Sequence, residues 1–232
     1  MTPETITYAE GETALTGLVY RPAGAPRAAV LVYPTIMNQV GSVLDKAASL
    51  AEHGYLAFVA DFYGKNPADF DQSREFVAEI RPQPEVFRGR IRKAVAALAA
   101  QAGAERLPLA AIGFCLGGFA ALELAREGAP LAAAVSFHGL LNTDLPAEHG
   151  KVAARILVCH GDADPMVPRS QVIAFWEEMD AAGANWHFHS YSGVKHGFTN
   201  PGPVHNPAVG YDASADRQSW AAMLELFDEV FG

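Results

Sequence analysis

Three segments of the chain hold residue types that together can carry out acyl transfer. Cys115 lies in AIGFCLGGFAALELA (111–125), Asp162 and Asp164 in ARILVCHGDADPMVP (154–168), and His196 in WHFHSYSGVKHGFTNP (186–201). A thiol needs a base to make it a nucleophile, and the base needs an acid to orient it. The run Gly-Phe-Cys-Leu-Gly-Gly passes from small apolar residues into an alanine- and leucine-rich helical stretch, so it reads as strand, tight turn and helix with Cys115 at the apex. Gly113, Gly117 and Gly118 let strand and helix approach without collision. The Leu116 N–H, at the start of that helix, is then aimed at a developing oxyanion. The competing reading is a buried structural cysteine in a glycine-rich connection.

Other reactive residue types fit blander roles. Eight histidines are present, and His187 and His189 alternate on a strand without a third ligand, so they read as surface residues and no metal site is expected. Cys159 sits inside an apolar strand and reads as packing. With no resolving cysteine beside Cys115, thiol redox chemistry is the weakest of the enzymatic readings.

Positioning these residues takes a particular order of elements. ITYAE and TALTGLVYRP form an antiparallel hairpin. AAVLVYP (28–34), YLAFVAD (55–61), LPLAAIGF (107–114), LAAAVSFHG (131–139), ARILVCHGD (154–162) and WHFHSYS (186–192) read as strands, with amphipathic helices between them. That alternation is the signature of a mostly parallel sheet covered on both faces. In the C-terminal helix Trp220, Met223, Leu224, Phe227 and Phe231 recur at helical spacing. The segments 63–84 and 199–212 read as long surface loops. Cys115, the two aspartates and His196 all fall where a strand ends.

Composition narrows the function. The 232 residues, half of them hydrophobic, suit one globular α/β domain. A net charge of −9 and the lack of any basic run argue against nucleic-acid binding. The polar start MTPETITYAEGET is not a signal peptide, and no apolar run nears the ~20 residues of a membrane span. A cytoplasmic protein with free thiols and no membrane partner is expected; the oligomeric state is not legible.

The order nucleophile, acid, histidine is that of the α/β-hydrolases. Over nearly its whole length the chain resembles the dienelactone hydrolase family, through GLVYRP, AAVLVYPTI, LAEHGYLAFVADFYGK, GFCLGG, HGDADPMVP and KHGFTNP. The resemblance implies a single α/β-hydrolase domain over 1–232, with a mostly parallel central sheet, helices on both faces, an N-terminal antiparallel hairpin and no cap domain. It also implies Cys115 as nucleophile, His196 as base and Asp164, rather than Asp162, as orienting acid, with the Leu116 and Ile36 N–H groups as the oxyanion hole. Two departures stand out. Thr35 occupies the place of a glutamate that interacts with the thiol in the family's best-known members, and Asn200 that of an arginine that holds a substrate carboxylate. Arg74, in SREF, matches a second such arginine, Lys65 in YGK is another candidate cation, and Phe198 falls in the pocket.

The chemistry expected is hydrolysis of a small ester or lactone through an acyl-enzyme, with no cofactor. A thioesterase or transacylase would use the same triad. A non-catalytic small-molecule binding protein is the reading from another class.

Overall fold

In the computed structural model, which describes residues 1–101, 103–104, 106–202 and 206–232, the chain divides into two compact units, Met1–Ala111 and Ile112–Gly232. Strands β1 (Glu4–Glu10), β2 (Thr13–Tyr20), β3 (Ala29–Tyr33) and β4 (Leu56–Val59) and helices α1 (Gly41–Glu52), α2 (Phe70–Ile80) and α3 (Pro84–Ala99) belong to the first. β5 (Leu109–Phe114) crosses the boundary. The second unit continues with α4 (Leu116–Arg126), β6 (Ala133–Phe137), β7 (Arg155–Gly161), α5 (Arg169–Ala182), β8 (Trp186–Tyr191) and α6 (Ala213–Phe231). The strand order is β1-β2-β4-β3-β5-β6-β7-β8.

In the first unit the β1–β2 hairpin is antiparallel, β2 pairs antiparallel with β4, and β3 and β4 run parallel. The burial patterns follow from these positions. All five residues of β3 are buried, as in a strand covered on both faces, whereas ETITYAE in β1 alternates. Just beyond β4, the buried Asp61 carboxylate accepts from the N–H groups of Thr16, Tyr63 and Gly64 at 2.9 Å and from Asn38 Nδ2 at 2.8 Å. Asn38, at φ 60°, accepts the Phe62 N–H through Oδ1 at 3.1 Å. With its donors so arranged, the buried charge is satisfied, and the turn from Thr35 to Asn38 is clamped to the segment after β4.

In the second unit β6, β7 and β8 are parallel, with Phe137, Cys159 and His189 in register. Every residue of α4 is buried, as its all-round apolar sequence requires. Its two charged members, Glu123 and Arg126, pair at 2.9 Å; Arg126 also binds Glu178 of α5 at 2.8 Å and the Leu141 carbonyl at 2.7 Å. This cluster ties the α4 terminus to α5 and to the chain leaving β6.

The segment 63–84 is not a plain loop. It contains α2, started by Asp69, whose carboxylate accepts the Gln72 N–H at 2.8 Å, and it ends where Pro84 opens α3. Phe70, Ser73, Val77 and Ile80 recur at helical spacing, a short pattern hidden among charged residues. Of the loop expected over 199–212, residues 203–205 lie outside the described residues, and Asp212 caps α6 by accepting from Ser214 and Ala215. On α6 the buried residues include Met223, Leu226 and Phe227. No helix among the described residues is long and apolar enough to cross a membrane.

Candidate active site

The turn between β5 and α4 sets Cys115 at φ 56°, ψ −114°, a conformation that costs a non-glycine residue about 1–3 kcal/mol. The surrounding glycines explain how the chain tolerates so sharp a reversal. A Cβ on Gly113 would run into the Gly117 carbonyl, and one on Gly118 would come within 2.8 Å of the Gly139 Cα beyond β6. The Cys115 N–H donates to the Phe137 carbonyl at 3.0 Å and to His138 Nδ1 at 3.2 Å. Leu116 is the first residue of α4, so its N–H has no acceptor within the helix.

Beyond β7 the chain turns tightly: the Asp164 N–H donates to the Gly161 carbonyl at 3.0 Å, and Ala163 N–H to that of Val194 at 2.9 Å. Asp164 Oδ1 accepts the Met166 N–H at 2.8 Å, leaving Oδ2 to accept from His196 Nδ1 at 2.7 Å. Both side chains are buried. Asp162 points to a different partner, pairing with Arg169 at 2.7 Å on the surface, and that guanidinium lowers its pKa. The His196 backbone is held by the segment that follows the loop, through Ala208 O at 3.3 Å and Gly210 N–H at 3.0 Å.

Opposing effects act on the His196 imidazole. Burial pushes its pKa down, but the electrostatic interaction with Cys115 and the hydrogen bond to Asp164 outweigh it, and the pKa is raised to about 10. Nε2 is buried without a hydrogen-bond partner, and Cys115 lies near enough to act on the ring electrostatically. A buried imidazole with a carboxylate on one nitrogen and a thiol acting on the ring can store and deliver a proton.

Other expected residues take varied places. In the first unit, Thr35 Oγ1 accepts the Met37 N–H at 3.1 Å, so the hydroxyl shapes its own turn, and the Ile36 carbonyl accepts from the Tyr63 hydroxyl at 3.2 Å. Arg74 is exposed on α2, and Lys65 Nζ lies 4.6 Å from the Phe76 ring centroid. In the second, Asn200 is exposed and its Oδ1 accepts the Gly202 N–H at 3.0 Å. Phe198, expected to line the pocket, follows His196 by two residues. It is fully buried, with its ring edge-to-face with His138 at 5.2 Å and Tyr191 at 5.5 Å, because the turn after His196 folds it inward.

Among the described residues no group of three or more His, Cys, Asp or Glu is placed to hold a metal ion, and His187 is exposed on β8. Cys159 is fully buried, and burial pushes its thiol up to about 12, which keeps it protonated. Two residues at the site escape sequence reasoning. His160, the penultimate residue of β7, is buried with both ring nitrogens lacking a hydrogen-bond partner, and burial lowers its pKa. His138 makes hydrogen bonds through both ring nitrogens. Its only sequence signal is its place before Gly139 at a strand end.

The strand order, the parallel register and the turn at Cys115 define an α/β-hydrolase. The model of the dienelactone hydrolase family matches residues 15–231, and the chain belongs to that family of ester and lactone hydrolases. Two solved structures cover all of the chain and are themselves covered to 99%. One, named m3DLH, is 34% identical with a TM-score of 0.94. The other, described as the dienelactone hydrolase-like promiscuous phosphotriesterase P91 from metagenomic libraries, is 33% identical with a TM-score of 0.92. The uncharacterized protein K02A2.1 of Caenorhabditis elegans is 38% identical over 149 residues, 61% of this chain and 92% of that protein.

Proposed function

We propose that this hydrolase cleaves small ester and lactone bonds through a thioester on Cys115. One observation carries the reading: the buried His196 is held by Asp164 on Nδ1 at 2.7 Å, and the neighbouring Cys115 and this hydrogen bond raise its pKa. An imidazolium beside a thiolate is the resting state of a cysteine nucleophile. The sulfur attacks the carbonyl carbon, and the oxygen of the tetrahedral intermediate is stabilised by the Leu116 N–H at the helix start. The family resemblance adds the Ile36 N–H as a second donor. His196 gives its proton to the departing alkoxide, leaving the thioester. It then takes a proton from water, whose oxygen attacks the acyl carbon, and keeps that proton while the tetrahedral intermediate collapses to the acid product and expels the thiolate, which restores the resting pair.

The test is a panel of small neutral aryl esters, lactones and thioesters assayed with the protein and with Cys115→Ala. Intact mass measured during ester turnover should show an acyl adduct that is absent in Cys115→Ala. A phosphotriester belongs in the panel, since P91 is described as hydrolysing that class. Turnover with thioesters alone would favour the thioesterase reading. Near-normal turnover in Cys115→Ala would remove the cysteine mechanism.

A further inference from the structure

Only three non-glycine residues among those described have positive φ: Asn38, Cys115 and His138, the last at 42°. His138 follows directly on β6, and its N–H donates to the Cys159 carbonyl at 2.8 Å, so its backbone extends the ladder to β7. Its buried side chain reaches the opposite neighbour. Nδ1 lies 3.2 Å from the Cys115 nitrogen, and Nε2 lies 2.8 Å from Thr199 Oγ1. The ring packs edge-on to His196 and to Phe198, each with centroids 5.2 Å away.

The hydrogen bonds fix its chemical state. A backbone N–H can only donate, so Nδ1 must accept with its lone pair, and the proton of a neutral ring then sits on Nε2, where it is donated to the threonine hydroxyl. An imidazolium would set an N–H against the Cys115 N–H. We propose that His138 is a positioning residue for the thiol: its neutral imidazole joins the turn bearing Cys115 to the loop bearing His196. The inference rests on Cys115 being the nucleophile. The Cys115 N–H already has the Phe137 carbonyl as an acceptor. What His138 adds is a tie between Cys115 and the residue three positions after the base. Reaction geometry is sensitive to such ties, since a displacement of about 1 Å costs about 10²-fold in rate.

Phenylalanine keeps the ring volume against His196 and Phe198 but loses both hydrogen bonds. Asparagine tolerates left-handed backbone and offers an oxygen near the place of Nδ1. The experiment measures kcat and KM on a neutral aryl ester for His138→Phe, His138→Asn, Thr199→Val, Thr199→Ser and Cys115→Ala, with a thermal unfolding scan of each. His138→Phe should lower kcat by about 10²-fold with KM within about twofold of the parent, as expected for lost orientation. His138→Asn should recover most of that loss. Thr199→Val should lower kcat by about tenfold and Thr199→Ser restore it, through the hydroxyl that holds the tautomer. Turnover of His138→Phe within twofold of the parent, or no recovery in His138→Asn, would overturn the inference. Should His138→Phe fail to fold, the threonine pair decides, and unchanged kcat in Thr199→Val overturns it. An inactive Cys115→Ala beside a fully active His138→Phe sinks this inference alone. An active Cys115→Ala sinks the nucleophile reading instead.

Discussion

Asp164 Oδ2 and His196 Nδ1 stand 2.7 Å apart with both side chains buried, while Asp162, two residues earlier, faces outward to Arg169. The carboxylate therefore occupies Nδ1 and leaves Nε2 as the other ring nitrogen. Asp164→Asn should cost about 10⁴-fold in kcat, on the scale of an orienting acid replaced by its amide, through the wrong tautomer. Asp162→Asn should stay within about threefold, as the loss of an exposed ion pair changes little. Steady-state rates on one ester compare the two, and the reverse ranking would show that Asp162 orients the base.

The raised pKa of His196 predicts a titration and a stability profile. Its folded value of about 10 lies above the ~6.5 of an unfolded histidine. Stabilisation from this proton is complete below pH ~6.5 and is lost as pH climbs through about 10. In Cys115→Ala the leading favourable cause is gone, so the His196 midpoint should fall. NMR of the imidazole Cε1 proton across pH 5 to ~11 reads both midpoints, and equal values would remove the thiolate–imidazolium pair.

Substrate charge should follow the loop after His196. Asn200 spends its carbonyl oxygen on the Gly202 N–H, and a net charge of −9 gives anions no long-range attraction. A neutral aryl ester should have a higher kcat/KM than a dienelactone carboxylate. Asn200→Arg should narrow the difference by supplying a two-pronged cation. Strong preference of the unmodified protein for the carboxylate, abolished by Arg74→Ala, would return the activity to that for which the family is named.

The Arg126 cluster should matter to stability more than to chemistry. Arg126→Met leaves Glu123 buried without its cation, a change that costs about 3–5 kcal/mol. Urea unfolding should show that loss as a shift in midpoint, with KM unchanged at temperatures where the variant is folded. A shift no larger than that of an exposed pair, such as Arg155 with Glu229, would mean that the cluster adds nothing.

The sequence by itself determined what is local. A run such as AVLVY can be stable only when covered on both faces, and Gly-Phe-Cys-Leu-Gly-Gly can make only a tight strand-to-helix turn, because no other residue fits where Gly113 meets the Gly117 carbonyl. The strands, the position of Cys115 and the loops carrying Asp164 and His196 were therefore legible. α2 was not: its few apolar residues give a weak period, and its start depends on one carboxylate cap at Asp69. Residue spacing leaves Asp162 and Asp164 open and the family resemblance picks Asp164; the tertiary structure supplies the physical reason, since the turn after Gly161 brings Asp164 to His196 and leaves Asp162 with Arg169. Only the tertiary structure places the buried Phe198, whose ring packs edge-on to His138 and Tyr191, and His138, whose two hydrogen bonds reach 23 residues back and 61 residues forward along the chain. Contacts of that span leave no period or motif in a sequence; they exist only once parallel strands bring their ends to one edge.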